Sequence, residues 1–279
     1  MKLSDYVIEF CQEHVGHIFL VTGGGAMHLD DSIGKYNMDV SMQHEQAAAI
    51  AAEAYARFAG FGVCCVTTGP GGTNALTGVA GAWLDSTPML VLSGQVKRAD
   101  MINGQGVRQS GLQELPIVDL AKHVTKYAAC VTEPNTIRYH LERAYYEATS
   151  GRRGPVWLDI PLDVQSAEIN PNKLIAFEVP EIDEPTLKNE VHKFIELYND
   201  AKRPVLLIGN GARQESIEEF IELLRIPVLS TWNAKDIYTG HLYVGSPGAV
   251  AERGAVLAHG LTRLSQVMIK VYSARMRCW

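Results

Sequence analysis

The apolar run from Val63 to Thr68, bounded by Gly62 and Gly69, constrains this chain most. Its length suits a strand. Its lack of apolar–polar alternation means burial on both faces, as in a parallel sheet covered by helices on each side. An alanine-rich segment, Gln46 to Ala59, precedes it, and Gly69-Pro70-Gly71-Gly72 turns the chain into a second helical segment reaching Trp83. Alanine at 47, 48, 49, 51, 52, 54, 56 and 59 gives strong helix propensity and little bulk, which predicts a helix packed closely all round. Pro88 to Ser93 reads as another parallel strand, so a βαβ rhythm surrounds the central stretch His44 to Pro88.

The flanking segments continue that rhythm. Ser4 is placed to cap a first helix whose Val7, Phe10, Cys11 and His14 form one apolar stripe. Ile18 to Val21 is a short strand running into Thr22-Gly23-Gly24-Gly25, and Val40 to Gln43 is the next. His44-Glu45 therefore lies just past a strand's carboxyl end, the edge at which open α/β sheets bind ligands. Gly94 to Gln113 is a long glycine-rich loop of the kind that carries function or moves. Ile117 to Val131 reads as a helix and then a strand, Asn135 caps a helix holding Ile137, Leu141 and Tyr145, and Pro155 to Ile160 is a last strand.

The fold class expected is α/β: a doubly wound parallel sheet over residues 1–170, a linker at 171–188, and an incomplete second, Rossmann-like α/β domain at 189–254. The linker is acidic and proline-bearing, with Glu178, Pro180, Glu181, Asp183, Glu184 and Pro185. Residues 255–279 carry Arg263, Lys270, Arg275 and Arg277 with no Asp or Glu, unlike the acidic chain before them, and read as an atypical, out-of-frame end.

A formal charge of −6 over 279 residues argues against a nucleic-acid footprint and leaves small molecules as partners. Asp5 and Glu9 interrupt what would be the apolar core of a signal peptide, and no apolar run is long enough to span a bilayer, so a cytoplasmic protein is expected. Cys11, Cys64, Cys65, Cys130 and Cys278 show no CxxC spacing and read as reduced core residues. Gly23-x-Gly25, Gly69-x-Gly71 and Gly209-x-Gly211 each hold part of a dinucleotide fingerprint, but each lacks its final glycine. No Gly-x-Ser-x-Gly elbow occurs.

Glu45 is the sharpest chemical candidate. A carboxylate at a strand end beside an alanine-packed helix is able to share a proton with a bound nitrogen base. The same residue reads equally well as a helix N-terminal carboxylate favoured by the dipole.

Several separated motifs occur together: His44-Glu45-Gln46-Ala47-Ala48, Ala51 to Arg57, Gly69-Pro70-Gly71-Gly72-Thr73-Asn74, Asp85-Ser86-Thr87-Pro88, Leu112-Gln113-Glu114, Ser150 to Val156 and Asp159 to Gln165. Further along come Arg203-Pro204-Val205, Thr231 to Asp236 and Gly245 to Gly248. In this order they resemble thiamine-diphosphate-dependent enzymes of the acetolactate synthase (acetohydroxyacid synthase) group, from residue 1 to about 254. The resemblance implies a pyrimidine-binding domain, a 2-keto acid substrate and decarboxylase or carboligase (transferase) activity. By it, Glu45 matches the glutamate that hydrogen-bonds N1′ of the aminopyrimidine, favouring the imino tautomer that deprotonates thiazolium C2. The cofactor is then the electron sink. Gly71 and Asn74 match the turn lining the pyrimidine, Gly24 and Gly25 the loop near the ring, and Gln113 the active-site glutamine. Arg152, Gly209 and Gly211 match places where flavin-bearing members hold FAD, although other relatives with the same middle domain lack it.

Two departures bear on substrate: Thr22-Gly23-Gly24-Gly25 stands in place of a proline-containing turn, and Leu112 stands where phenylalanine usually precedes the glutamine. A keto-sugar or other 2-keto acid carboligase is an alternative to acetolactate synthesis. The family holds Mg²⁺ and the diphosphate in a domain marked by Gly-Asp-Gly, a tripeptide absent from these 279 residues. The expectation is a truncated chain that is inactive alone and binds Mg²⁺ only through the missing domain or a partner, as a homo-oligomer or with a complementing subunit. The competing expectation is a non-catalytic interaction module or the pyrimidine-side half of a split enzyme.

Overall fold

Six strands in the first part of the chain pair in parallel: β1 (Ile18–Leu20), β2 (Asp39–Ser41), β3 (Gly62–Val66), β4 (Met89–Gln95), β5 (Tyr127–Cys130) and β6 (Val156–Pro161). Their order in the sheet is β2-β1-β3-β4-β6-β5. The computed structural model describes residues 1–102, 104, 106–180, 184–214, 216–246 and 268–270. The chain divides into two compact units, Met1–Val179 and Pro180–Trp279.

Strand alternation sorts the first unit's core into two layers. Val63 and Cys65 of β3, Leu90 and Leu92 of β4, and Val156, Leu158 and Ile160 of β6 face one side. There they meet α1 (Leu3–Gln12), α2 (Met27–Lys35), α6 (Ile137–Thr149) and α7 (Leu162–Gln165). Cys64, Val66, Met89, Val91 and Trp157 face the other side and meet α3 (Glu45–Ala59), α4 (Pro70–Asp85) and α5 (Ile117–Ala121). The doubly wound α/β fold is thus present, and Cys64 and Cys65 fall in opposite layers as the period of two demands. Cys11, Cys64, Cys65 and Cys130 are free thiols; Cys278 lies outside the described residues.

Local expectations differ from the fold in three places. Ser4 does not cap α1; it is buried within the first turn, where its hydroxyl accepts a hydrogen bond from Ser32 Oγ at 3.0 Å. Asn135 lies in a short 3₁₀ turn, and Thr136 precedes α6. The alanine-rich α3 is not covered all round: Ala48, Ala49, Ala52 and Ala56 are buried, but Ile50 is 47% and Phe58 96% exposed. Propensity defined the helix, whereas burial followed only the face turned to the sheet and α4.

On that face α3 and α4 approach closely. A Cβ on Gly78 would stand 2.6 Å from Ala49 Cβ and 2.9 Å from the Ile50 backbone nitrogen. A buried polar knot lies between β4, β6 and β5. Asp159, 2% exposed, accepts from Ser93 Oγ at 2.5 Å and from Gln95 Nε2 at 3.0 Å. Trp157 Nε1 donates to Ser93 Oγ at 2.8 Å, and Gln95 Nε2 also reaches the Leu115 carbonyl at 3.1 Å. Burial pushes the Asp159 carboxyl up to about 7 even though Ser93, Gln95 and Cys130 hydrogen-bond it.

The second unit is described by itself. Helix α8 (Glu184–Asp200) begins inside the stretch expected to be linker. Strands β7 (Val205–Ile208), β8 (Val228–Ser230), β9 (Tyr243–Gly245) and β10 (Met268–Lys270) form a parallel sheet ordered β10-β7-β8-β9. Leu206, Ile208 and Val228 pack against Ile221 and Leu224 of α9 (Glu218–Leu224). Of the tail at 255–279 only β10 is described, so the expectation of an out-of-frame end lies outside the described residues. Among the described residues, no helix is long and apolar enough to cross a membrane.

Two outcomes follow from this packing. Gly78→Ala gains helix propensity yet forces a Cβ into backbone, so chemical denaturation should show a net loss on the order of 1–3 kcal/mol; an unchanged midpoint contradicts the close approach. Asp159 has its carboxyl pKa raised on folding, so its contribution to stability is complete below the ordinary value of 3.8 and is lost as pH rises through about 7. Unfolding curves across that window should flatten in Asp159→Asn, and an identical pH slope in the variant would contradict the assignment.

Candidate functional site

The chain leaves β1 in one direction to β2 and enters β3 on the other side, so the sheet order reverses between β1 and β3. Ligands of open α/β sheets bind in the crevice that this reversal opens at the carboxyl ends of the strands. Three segments emerge there: the glycine turn after β1, Glu45 after β2, and Thr67 to Gly71 after β3.

The glycine turn is held from several sides. Gly23 N donates to Asp30 Oδ2 at 3.0 Å, Gly25 N to Thr67 Oγ1 at 3.0 Å, and Gln165 Nε2 to the Gly25 carbonyl at 2.7 Å. A Cβ on Gly25 would stand 1.9 Å from Thr68 Oγ1, so only glycine fits. Gly24 has open space where its Cβ would be, which leaves the backbone of the turn accessible. Burial raises the Asp30 carboxyl to about 6, with the Gly23 N–H working against it, and Asp30 Oδ1 is buried without a hydrogen-bond partner among the described residues.

Glu45 is the first residue of α3, within the turn where the dipole favours a carboxylate, and the residue before it is the cap. His44 Nδ1 takes the capping role, accepting from Gln46 N at 3.1 Å. The Glu45 carboxylate meets α4, accepting from Asn74 Nδ2 at 3.1 Å through Oε2. Among the described residues Oε1 has no hydrogen bond, and it faces the first turn of α4, 3.6 Å from where a Gly71 Cβ would stand. That Cβ would also come within 2.9 Å of Thr67 Cγ2. A half-buried carboxylate with one oxygen tied to an amide and the other open beside a side-chain-free turn is able to hold a ring nitrogen and share its proton. These residues fit the aminopyrimidine end of thiamine diphosphate.

Gln113 joins this edge through its backbone. Gly69 adopts φ +59° and ψ −110°, and a Cβ there would lie 2.0 Å from the Gln113 carbonyl and 3.3 Å from Gln113 Cβ. Gln113 itself sits at φ +59°.

Not every expected residue joins this group. Arg152 lies in the loop before β6, at the amino end of the sheet, where its Nε donates to Ser86 Oγ at 2.9 Å. Gly209 and Gly211 belong to the second unit, in the turn after β7, with open space at both Cβ positions. Nearby, Arg213 forms a two-point pair with Asp236 at 2.7 and 2.8 Å, which draws that carboxyl down to about 2. Among the described residues no group of three or more His, Cys, Asp or Glu side chains is placed to hold a metal ion.

The structure adds Asp30, Thr67, Thr68 and Gln165, which shape the site although none was assigned to it from the sequence. Thr67-Thr68 carried a local signal, two hydroxyls at a strand's carboxyl end before glycine. Gln165 closes the motif Asp159 to Gln165, but nothing in the sequence shows that it reaches Gly25 across 140 positions.

Comparison with known proteins bears on the fold and the family. Residues 1–121 match the family described as "Thiamine pyrophosphate enzyme, N-terminal TPP binding domain", and residues 191–259 match "Thiamine pyrophosphate enzyme, central domain". The chain is 36% identical over 240 residues to acetolactate synthase 2, chloroplastic, of Nicotiana tabacum, covering 82% of this chain and 35% of that protein. Against the acetolactate synthase large subunit of Corynebacterium glutamicum, identity is 35% over 269 residues, covering 92% of this chain and 41% of that protein. The chain therefore spans little more than a third of the length of these curated relatives. With two of the family's domains in their usual order and a parallel sheet to match, the chain belongs to the thiamine pyrophosphate enzymes and is acetolactate-synthase-like.

Proposed function

We propose that these residues form the pyrimidine-binding wall of a 2-keto acid decarboxylase or carboligase of the acetolactate synthase type. The observation that carries this reading is the Glu45–Asn74 pair beside Gly71 at the sheet's reversal point. When bound, the thiazolium of the cofactor supplies the electron sink. Glu45 Oε1 would hold the pyrimidine N1′ and share its proton, while Asn74, bonded to Oε2, fixes the plane of the carboxylate. The backbone around Gly24 would border the ring, and Gln113, whose backbone packs on Gly69, would offer its amide at the same edge.

The diphosphate and its Mg²⁺ are assigned to a Gly-Asp-Gly-bearing domain beyond these 279 residues, on the same polypeptide or on a partner subunit. The open backbone of Gly209 to Gly211 is the surface assigned to a flavin. Support for a 2-keto acid comes from the acetolactate synthases that the chain resembles.

The test mixes a polypeptide of these residues alone with thiamine diphosphate, Mg²⁺ and pyruvate, and then repeats the assay with a diphosphate-binding domain supplied. No acetolactate or CO₂ is expected in the first case and turnover is expected in the second. Product formed by the polypeptide alone contradicts the division of the site. In the assembled enzyme, Glu45→Gln should reduce turnover by roughly 10²–10⁴-fold, the range for loss of a positioned proton-transfer group. Full activity in that variant removes Glu45 from its role.

A further inference from the structure

Glu114 is a buried acid that the proposed reaction leaves unused. It is 6% exposed, and its carboxylate accepts three backbone N–H groups: Ile102 N on Oε1 at 2.7 Å, with Ser110 N and Gly111 N on Oε2, each at 3.1 Å. Such bonds from main-chain amides hold an ionised carboxylate in place when water is excluded. Here they tie together two distant points of the loop that follows β4.

The adjoining contacts show what that tie sets. Gly111 packs against the Val96 side chain so tightly that a Cβ would lie 2.7 Å from Val96 Cγ1. Gln109 Nε2 donates to the Gly111 carbonyl at 2.8 Å, and Gln95 Nε2 holds the Leu115 carbonyl at 3.1 Å. Gln113, between these anchors, sits in the left-handed region at φ +59°, which a glutamine occupies only when its surroundings force it. Its carbonyl packs directly on Gly69, two residues from Gly71.

We propose that Glu114 is a positioning residue: by gathering the Ile102, Ser110 and Gly111 amides it holds Gln113 in the left-handed conformation against the Gly69 turn, and so sets the Gln113 amide at the Glu45 edge. The functional half of this proposal rests on the pyrimidine-site reading above; the mechanical half does not.

Two measurements separate the halves. In the free chain, amide hydrogen exchange at Ile102, Ser110 and Gly111 should be about tenfold or more faster in Glu114→Gln, because one acceptor becomes a donor facing N–H groups, while β3 and β4 amides keep wild-type rates. Glu114→Asp, which retains the charge with a shorter reach, should fall between, and it serves if the glutamine variant does not fold. Unchanged exchange at the three amides overturns the anchoring. In the chain assembled with a diphosphate-binding domain, Glu114→Gln should lower kcat as Gln113→Ala does, leave thiamine diphosphate affinity unchanged, and add no further loss to Gln113→Ala. Additive losses, or weakened cofactor affinity, overturn the positioning role with the Glu45 assignment intact. Undiminished turnover in Glu45→Gln overturns the pyrimidine-site reading and this functional half together, and leaves the exchange result to decide the anchoring.

Discussion

How closely α3 approaches α4 decides whether the carboxylate at the head of one helix reaches the amide on the other. Gly78 lies against Ala49 and the Ile50 backbone, and Ala48, Ala52, Ala75 and Ala82 complete the seam with small side chains. At that spacing Glu45 and Asn74 lie within hydrogen-bond distance, 3.1 Å, although 29 positions separate them. A glycine inside a helix costs about 0.5–1 kcal/mol relative to alanine. The same residue that weakens α4 locally thus makes the geometry at its amino end attainable, and the alanine content of α3 is a packing requirement as much as a propensity.

Two sets of buried polar contacts then fix the rest of the carboxyl edge. Asp159, Ser93 and Gln95 join β4 to β6 and reach the Leu115 carbonyl, while Glu114 gathers the loop that carries Gln113. On the other side Asp30, Thr67 and Gln165 hold the glycine turn. The Asp159 and Glu114 carboxylates are each met by several donors, which is the condition for keeping a polar group away from water, whereas Asp30 receives only Gly23 N. The edge is therefore assembled by side chains bonded to one another and to main chain, and Arg152, at the opposite edge, takes no part in it.

Much of the fold was legible because it depends on local pattern. The run at Val63 was buried on both faces as its composition demanded, and Cys64 and Cys65 separated into the two layers that alternation assigns. The position of Glu45 past a strand end was legible too. What was not legible depends on partners remote in the chain. Nothing near Ser4 announces Ser32 as its partner, and nothing in α3 shows that Ile50 and Phe58 face outward while Ala49 meets Gly78. Glu45 stands in the first turn of α3, where the dipole favours a carboxylate, and what the sequence did not announce is that His44 takes the cap while Asn74 on α4 meets the Glu45 carboxylate.

The most direct test of Glu45 as the proton-sharing group is the exchange of the thiazolium C2 proton of thiamine diphosphate with deuterated solvent, followed by nuclear magnetic resonance in the chain assembled with a diphosphate-binding domain. Exchange should be faster than in free cofactor by roughly 10²–10⁴-fold, and Glu45→Gln should return it close to the free rate while the cofactor stays bound. Undiminished acceleration in Glu45→Gln would contradict the role assigned to that carboxylate.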